Sequence, residues 1–300
     1  LAISYFLIGM FISEILSYGN YFAFWQIGLG KPHDPTVFMQ HTIYSVFLAI
    51  VSIFLFLKLY NEKSKNKKIL YIIFFITITI NLLVNSGRTG YISFFLTILI
   101  LNIYLFKTKI KYFFLTLFSI IILIFLAYNL SPNFNNRINL IKIEIEKVLI
   151  DDNFNTSIGA RIGFWVISKE IVSSHPLLGT GIANQIITKN AIIDNSSNTT
   201  NFKYVRELEH FHNNYLEILT QYGFIGFILV SIIFIELFKI PIINFQIKLL
   251  KFSTLIIFLF GCFTDMLFYL KDSMLFFSFI IGISLAQYKI ENSKLNKISN

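Results

Sequence analysis

The sequence predicts an all-α polytopic membrane protein with about eight transmembrane helices and one large helical extracytoplasmic loop. Three observations lead there. Only 14% of the 300 residues are charged and 55% are hydrophobic, with a mean hydropathy of +0.69; a soluble domain carries roughly a quarter charged residues. Eight apolar runs approach the roughly 20 residues that a spanning helix needs. Lysines then fall in alternate links between the runs, as the positive-inside rule requires. That distribution also disposes of a rival reading. A net charge of +9 and a pI near 9.4 would suit a nucleic-acid binder, but the charge sits in short links where topology accounts for it, so no nucleic-acid partner is expected.

The runs are 1–18, 39–59, 69–85, 90–106, 112–130, 215–238, 252–270 and 273–289. The first begins at Leu1, so the N-terminus is expected to be truncated, with earlier spans missing. The third and fourth runs share the link Asn85-Ser86-Gly87-Arg88-Thr89-Gly90, which reads as a turn between antiparallel helices. The links 58–68, 107–111 and 239–251 and the tail 289–300 hold Lys58, Lys63, Lys65, Lys67, Lys68, Lys107, Lys109, Lys111, Lys239, Lys248, Lys251, Lys289, Lys294 and Lys297, which makes that side cytoplasmic. Segments 19–38, 85–90 and 131–214 and the link near Lys271 fall on the other side. The expected organisation is spans over 1–130, an extracytoplasmic loop over 131–214, and further spans with a cytoplasmic tail over 215–300. The one cysteine, Cys262, cannot form an internal disulfide.

A second pattern emerges from this topology. All four arginines, Arg88, Arg137, Arg161 and Arg206, lie on the outer side, whereas every inner basic residue is lysine. Topology treats the two alike. Outer arginine suggests planar, bidentate binding of an anion.

The long loop has structure of its own. Ile138, Ile141, Ile145, Val148 and Leu149 recur at helical spacing between charged residues, an amphipathic helix over 137–150. Residues 160–172, with Phe164 and Trp165, predict a helix lying on the membrane interface and ending before Pro176. His175-Pro176-Leu177-Leu178-Gly179-Thr180-Gly181 reads as a turn. Residues 188–205 are polar and expected to be mobile, and Asn198-Thr199-Thr200 forms a sequon without a context that would give it meaning.

The chemistry concentrates in Glu209-His210-Phe211-His212-Asn213-Asn214-Tyr215-Leu216-Glu217, where the loop becomes the sixth span. Histidine is the side chain that exchanges protons near neutral pH. With 207–216 helical, Glu209 lies one turn before His212 and could orient its imidazole; the plain alternative is an interfacial histidine bonding backbone or water. His210 points to a different face and reads as a solvated loop residue. Arg88 is either an interfacial arginine reaching water or a cation aimed into an outer cavity between flanking glycines. Arg161 is either a lipid-headgroup contact or a lid over the same cavity, while Arg137 and Arg206 sit in polar surroundings that suit solvated side chains. His41 opens the second span as a cap or a cavity residue. Glu14 and Asp265 lie within spans, where carboxylates can pair or mark ion paths. No P-loop, dinucleotide fingerprint or His-Glu-x-x-His zinc helix occurs, and His210 and His212 have the wrong spacing for two ligands on one helix face.

With these residues in place, the chain resembles the bacterial O-antigen ligase / O-antigen polymerase membrane protein family. His212-Asn213 followed by Gly223-x-x-Gly226 is similar to that family's His-Asn…Gly signature. Ser86-Gly87-Arg88-Thr89-Gly90 looks like its Ser-Arg-x-Gly turn, with an extra glycine, and Arg161-x3-Trp165 with His175–Gly181 resembles its loop helix and turn. The resemblance covers roughly 35–235. It implies a metal-independent inverting glycosyltransferase in the bacterial cytoplasmic (inner) membrane, its site facing the periplasm, using no cofactor. The implied partners are an undecaprenyl diphosphate-linked glycan donor, a glycan or lipid A-core acceptor, and the lipid bilayer. It also implies that Arg88 and Arg161 bind the diphosphate and that His212 is the general base. Asn213, Glu209, His210, Arg206 and His41 are further candidates for substrate binding, from their place in or near the outer loop. Two other classes compete. A lipid-linked oligosaccharide flippase or transporter predicts Glu14 and Asp265 on one path; a structural partner in a glycan-assembly complex predicts that Arg88, Arg161 and His212 are dispensable.

Overall fold

The computed structural model describes residues 2–106, 110–196 and 199–299. Lys107, Lys109 and Asn198, used above for topology and sequon, lie outside them. In chain order the helices are α1 (Ala2–Tyr21), α2 (His41–Asn61), α3 (Lys65–Val84), α4 (Arg88–Phe106), α5 (Ile110–Leu130), α6 (Pro132–Asp151), α7 (Ser157–Ser174), α8 (Ile182–Asp194), a 3₁₀ turn (Thr199–Phe202), α9 (Lys203–Glu207), α10 (Asn214–Lys239), α11 (Phe245–Thr264) and α12 (Lys271–Ser299). Among the described residues eight helices, α1 to α5 and α10 to α12, are long and apolar enough to cross a membrane, and no strand forms. The chain is an all-α polytopic membrane protein.

One span departs clearly from expectation. α11 runs from Phe245 to Thr264 rather than over 252–270. At its start, the Glu291 carboxylate on α12 accepts the N–H groups of Ile243 (2.7 Å) and Asn244 (2.9 Å), and Asn244 Oδ1 accepts that of Ile247 at 3.1 Å. This capping lets polar Gln246 and Lys248 enter the first turns. At its end, Asp265 Oδ1 takes the Met266 N–H at 2.8 Å, a local bond that competes with helix continuation. Asp265, expected inside a span, therefore stands in the turn beyond it.

The chain divides into two compact units. The first comprises residues 1–135, 240–261 and 269–300. α2 is its centre. A helix apolar on every side has no face to give to water, and Leu48, Val51 and Leu55 are fully buried, with α3 and α4 packed against it. Its buried Ser52 hydroxyl finds a partner in Thr79, at 2.5 Å. Phe276 stacks on Phe47 at 4.0 Å and on Phe6 at 5.0 Å. α5 does the opposite, leaving Phe114, Phe118, Ile121 and Phe125 exposed, a surface suited to hydrocarbon.

The second unit comprises residues 136–239 and 262–268. Its core gathers Val148, Phe154, Phe164, Ile167, Ile171, Ile193, Val205, Phe211 and Leu216, with α7 in the middle. α7 starts where Thr156 Oγ1 accepts the Gly159 N–H (3.0 Å) and Glu144 Oε2 that of Ile158 (2.8 Å). It stops at Ser174, before Pro176, as expected. Phe164, expected on the membrane interface, is instead fully buried and stacked on Phe211 at 4.9 Å; Trp165 beside it is exposed. Residues 188–205, expected to be mobile, contribute the end of α8, the 3₁₀ turn and the start of α9. The reason is Lys189. It is fully buried, and its ammonium donates to the carbonyls of Val205 (3.1 Å), Arg206 (3.2 Å) and Leu208, tying α8 to the end of α9.

α10 is broken at Gly223, where φ is +63°. The turn after α7 is spliced into the break. Thr180 and Gly181 donate to the freed carbonyls of Thr220 (2.8 Å) and Gln221 (2.9 Å), while Phe224 and Ile225 donate to Pro176 (2.8 Å) and Leu177 (3.2 Å). A Cβ on Gly223 would fall 2.3 Å from the Leu177 oxygen, and one on Gly179 (φ +64°) 2.5 Å from the Gln221 backbone. The family-like turn and the glycine after His-Asn are thus two halves of one joint.

Candidate functional site

His212 lies between α9 and α10 with φ +47°, a left-handed conformation that a side-chain-bearing residue adopts at a cost of the order of 1–3 kcal/mol unless its surroundings impose it. The surroundings are specific on both sides. Before it, the Phe211 ring is buried against Phe164, and its N–H donates to Glu217 Oε2 at 3.1 Å. After it, buried Asn213 caps α10: its Oδ1 accepts the N–H groups of Tyr215 (2.9 Å) and Leu216 (3.1 Å), and its Nδ2 donates to the Phe263 carbonyl at 3.1 Å. The polar ends of the Asn213 amide are therefore engaged by protein.

This arrangement holds the imidazole against Asp265. His212 Nδ1 stands 3.4 Å from Asp265 Oδ1, with the histidine side chain 36% exposed and the aspartate 14%. Burial pushes the Asp265 carboxyl up, but the bonds from His212 and the Met266 N–H, with the charges of His212 and Arg161, outweigh it and hold the group below the ordinary carboxylate value of 3.8. Glu209, expected to orient His212 from one turn earlier on a helix over 207–216, is exposed and outside any helix, because α9 ends at Glu207 and α10 begins at Asn214. Asp265 occupies the position that sequence reasoning gave to Glu209.

Arg161 shares the same turn. Its Nε and Nη2 reach the Thr264 carbonyl at 3.4 and 3.3 Å, and Nη1 donates to Ser157 O (2.9 Å) and Oγ (3.0 Å). The Thr264 bonds are long, and a phosphate oxygen makes shorter, charge-assisted ones. The guanidinium and the imidazole are thus held by adjacent residues, Thr264 and Asp265. A support layer lies beneath. Glu217 Oε1 accepts Gln221 Nε2 (2.7 Å), Gln221 also donates to Gln185 Oε1 (2.9 Å), and Gln185 Nε2 donates to Thr220 Oγ1 (2.6 Å). Burial brings the Lys189 ammonium down to about 8 despite the nearby Glu217 charge.

The other candidates fall elsewhere. Arg206 pairs with Asp194, and His210 is exposed. Arg88 and His41 belong to the first unit. Arg88 begins α4 in a half-buried position, in a turn pressed onto α2. A Cβ on Gly87 would meet the His41 carbonyl at 2.4 Å, and one on Gly90 the Ser45 side chain at 2.4 Å. Gly90 N–H donates to Ser45 Oγ at 3.1 Å, and Ser86 Oγ to His33 O at 3.0 Å. His41 Nδ1 lies 3.1 Å from Asp34 Oδ2. The Arg137 side chain lies outside the described residues. Among those described, no three His, Cys, Asp or Glu side chains form a group able to hold a metal ion.

Sequence reasoning placed Asp265 inside a span as a carboxylate that could pair but did not identify His212 as its partner, and it missed Lys189 and the role of Glu217. Asp265 carried a usable signal, an acid at the end of an apolar run bounded by Lys271 on the outer side; Lys189 carried none, since nothing local marks it as buried.

Residues 72–231, more than half of the chain, match the family model described as O-antigen ligase. An uncharacterized protein of Haemophilus influenzae (strain ATCC 51907 / DSM 11121 / KW20 / Rd) is 27% identical over 218 residues. That match takes in 71% of this chain and 53% of the relative, so the chain spans about half the relative's length. The matched region contains the Arg88 turn, α7, the spliced Gly223 joint and the His212–Asn213 site. The chain belongs to the O-antigen ligase family.

Proposed function

We propose that this protein is a membrane glycosyltransferase that moves a glycan from an undecaprenyl diphosphate carrier to an acceptor hydroxyl, as a ligase or a polymerase. The observation that carries this reading is the His212–Asp265 pair beside Arg161, within a chain of the O-antigen ligase family. A sugar on a lipid diphosphate already bears its leaving group, so the chemistry needs a base for the acceptor and cations for the departing charge. With Nδ1 turned to Asp265, Nε2 of His212 is the atom that takes the acceptor proton. Asp265, a carboxylate at neutral pH, stabilises the imidazolium that forms. The acceptor oxygen attacks the anomeric carbon, the bond from that carbon to the phosphate oxygen breaks, and the diphosphate leaves with the electron pair. Attack opposite the leaving group inverts the anomeric centre. Arg161 exchanges its long Thr264 bonds for phosphate oxygens, and Arg88 is given the second phosphate contact on its family-like turn alone. No metal or nucleotide enters this scheme. Glu209, His210, Arg206 and His41 are candidates for acceptor or glycan contact, and Asn213 supports His212 through its cap. The site would face the periplasm across the cytoplasmic membrane.

The test is genetic. A chromosomal His212→Ala variant that inserts normally into the membrane should lose surface long-chain glycan on gels, with lipid-linked glycan accumulating. Unchanged surface glycan would overturn the role of His212. The accumulated species separates the two reactions: full-length lipid-linked glycan marks a ligase, and single repeat units mark a polymerase.

The position of Asp265 supports this reading over a transporter with Glu14 and Asp265 on one path through the spans. Asp265 stands beyond the end of α11, paired with His212, rather than within a span.

A further inference from the structure

We propose that the turn Pro176–Gly181, together with the first turns of α8, is a lipid-inserted wedge. In this reading Leu177, Leu178, Ile182, Ile186 and Ile187 lie among acyl chains on the side of the membrane where α5 and α10 are joined.

The argument starts from length. α10 is a candidate span, but its unbroken apolar part begins only after Gly223. Phe224–Lys239 is roughly 24 Å long at ~1.5 Å per residue, and Glu236 and Lys239, exposed and paired at 2.8 Å, already belong to its polar end. A hydrocarbon layer is about 30 Å thick, and any tilt shortens the helix further. For α10 to cross, the Gly223 break must lie inside the layer rather than above it. Whatever is bonded to the break is carried to that depth.

The spliced turn is what is bonded there. Phe224 and Ile225 donate to the carbonyls of Pro176 and Leu177, so Leu177 and Leu178 stand level with the first apolar residues of the span. They are 65% and 72% exposed, as large an exposure as any along the lipid-facing side of α10 itself. Ile182, Ile186 and Ile187 follow on α8 and are also exposed, while Gln185, Lys189 and Ile193, at i, i+4 and i+8, form the stripe that α8 buries. With 3.6 residues per turn, Ile187 stands across the helix from that stripe while Ile182 and Ile186 border it, so the Leu177–Leu178 surface continues over the exposed part of the first turns of α8.

Irregular backbone at membrane depth is tolerated only where its polar groups have partners. This turn meets the condition where it is spliced into α10. Proline has no N–H to satisfy. The N–H groups of Gly179, Thr180 and Gly181 donate to His175, Thr220 and Gln221, and the carbonyls of His175, Pro176 and Leu177 all accept. A turn built for water would have no need of two adjacent exposed leucines. The occupant that fits is the lipid that already covers α10, because the apolar surface runs on from that helix through shared backbone bonds. The inference rests on the fold and holds whether or not the protein transfers glycans.

The test uses the full chain in phosphatidylethanolamine/phosphatidylglycerol vesicles, in a Cys262→Ala background. Single variants Leu178→Cys and Ile187→Cys carry an environment-sensitive NBD label. Ile228→Cys on α10 is the lipid control and Lys203→Cys on α9 the water control, both positions being exposed in the structure. The labels at 178 and 187 are expected to show the blue-shifted emission of the 228 label, loss of quenching by aqueous iodide, and quenching by doxyl-labelled lipid. Iodide quenching equal to that of the 203 label at either position would overturn the proposal. Protection from iodide without doxyl quenching would mean that protein covers the surface, and would overturn it equally. Since the label itself replaces a leucine or isoleucine at the surface, misfolding is checked by the elution profile before reconstitution, and the two positions report independently.

Discussion

Two histidine–carboxylate pairs, His41–Asp34 and His212–Asp265, stand in different surroundings, and the contrast favours the second as the proposed site. In the first unit His41 and Asp34 are closer, 3.1 Å against 3.4 Å for His212 and Asp265. Yet the His41 side chain is 45% exposed and its aspartate 26%, against 36% and 14% for the other pair. Asp34 and His41 are near neighbours in sequence, joined by a short loop; His212 and Asp265 are brought together by the fold. Only the second pair sits on a left-handed residue, has an arginine bonded to the residue beside its carboxylate, and rests on a buried polar layer. Distance is therefore the weaker criterion. Burial of the acid, with compensating charge around it, is what keeps a carboxylate ionised and fixed beside an imidazole.

The contrast can be broken most sharply at the histidines. General acid–base catalysis contributes about 10²–10⁴-fold, so His212→Ala should lower transfer by that order in a reconstituted assay. His41→Ala should change apparent affinity by several-fold at most. Equal losses in turnover would erase the distinction. The aspartates come next. Asp265→Asn keeps the shape but removes the charge opposing the imidazolium; a hydrogen bond to a charged group is worth ~1.5–3 kcal/mol, so turnover should fall roughly 10–100-fold, with KM little changed. Asp34→Asn should not alter turnover measurably. Because Asp265 is held below its ordinary value of 3.8, its charge contributes stability above that pH and loses it as pH falls through the lower folded value. The acid limb of unfolding should thus move to higher pH in Asp265→Asn.

A third comparison separates support from chemistry. Glu217→Ala removes the acceptor of the Phe211 N–H and of Gln221. Each buried donor left without a partner costs ~1–3 kcal/mol, so the variant should lower Tm and activity together. Glu217→Gln retains one of the two acceptor oxygens, its NH2 facing the other donor, and should recover only part of both. Full activity in Glu217→Ala would show that the His212 conformation does not depend on this layer.

The two units were also unequally legible in the sequence. Spans depend on summed hydropathy, which tolerates local error, and the first unit's helices appear close to where the apolar runs put them. The departure at α11 came from a cap supplied by Glu291, far along the chain, which no window of sequence reveals. In the second unit His212 and Arg161 could be singled out as candidates, because titratable residues at the edge of a span are rare and their order matched a family, and the fold holds them on the adjacent residues Asp265 and Thr264. Their partners were not. Choosing Glu209 assumed helix through 207–216, and the left-handed His212 breaks that assumption; once the backbone turns there, i, i+3 spacing says nothing about contact. Phe164 was misread for a related reason. An aromatic on an amphipathic helix suits an interface or a core equally, and the ring of Phe211 decided it.

Lys189 gives the smallest but most diagnostic effect, because it isolates a charge in the support layer rather than in the site. Its folded-state pKa lies near 8, against 10.5 for an ordinary lysine, chiefly through burial. Between those values the unfolded chain binds more protons than the folded one, so folding stability rises with pH across the window; below about 8 the cost of the buried charge is fully present. Lys189→Met should be less stable at every pH, since the carbonyls of Val205, Arg206 and Leu208 lose their donor. It should also lack the wild-type rise. Thermal unfolding in detergent at successive pH values would show the gap between wild type and Lys189→Met widening as pH increases from about 8 towards 10.5. A constant gap would mean that the ammonium is no more reluctant to ionise than one in water, and that its three carbonyl partners compensate its burial completely.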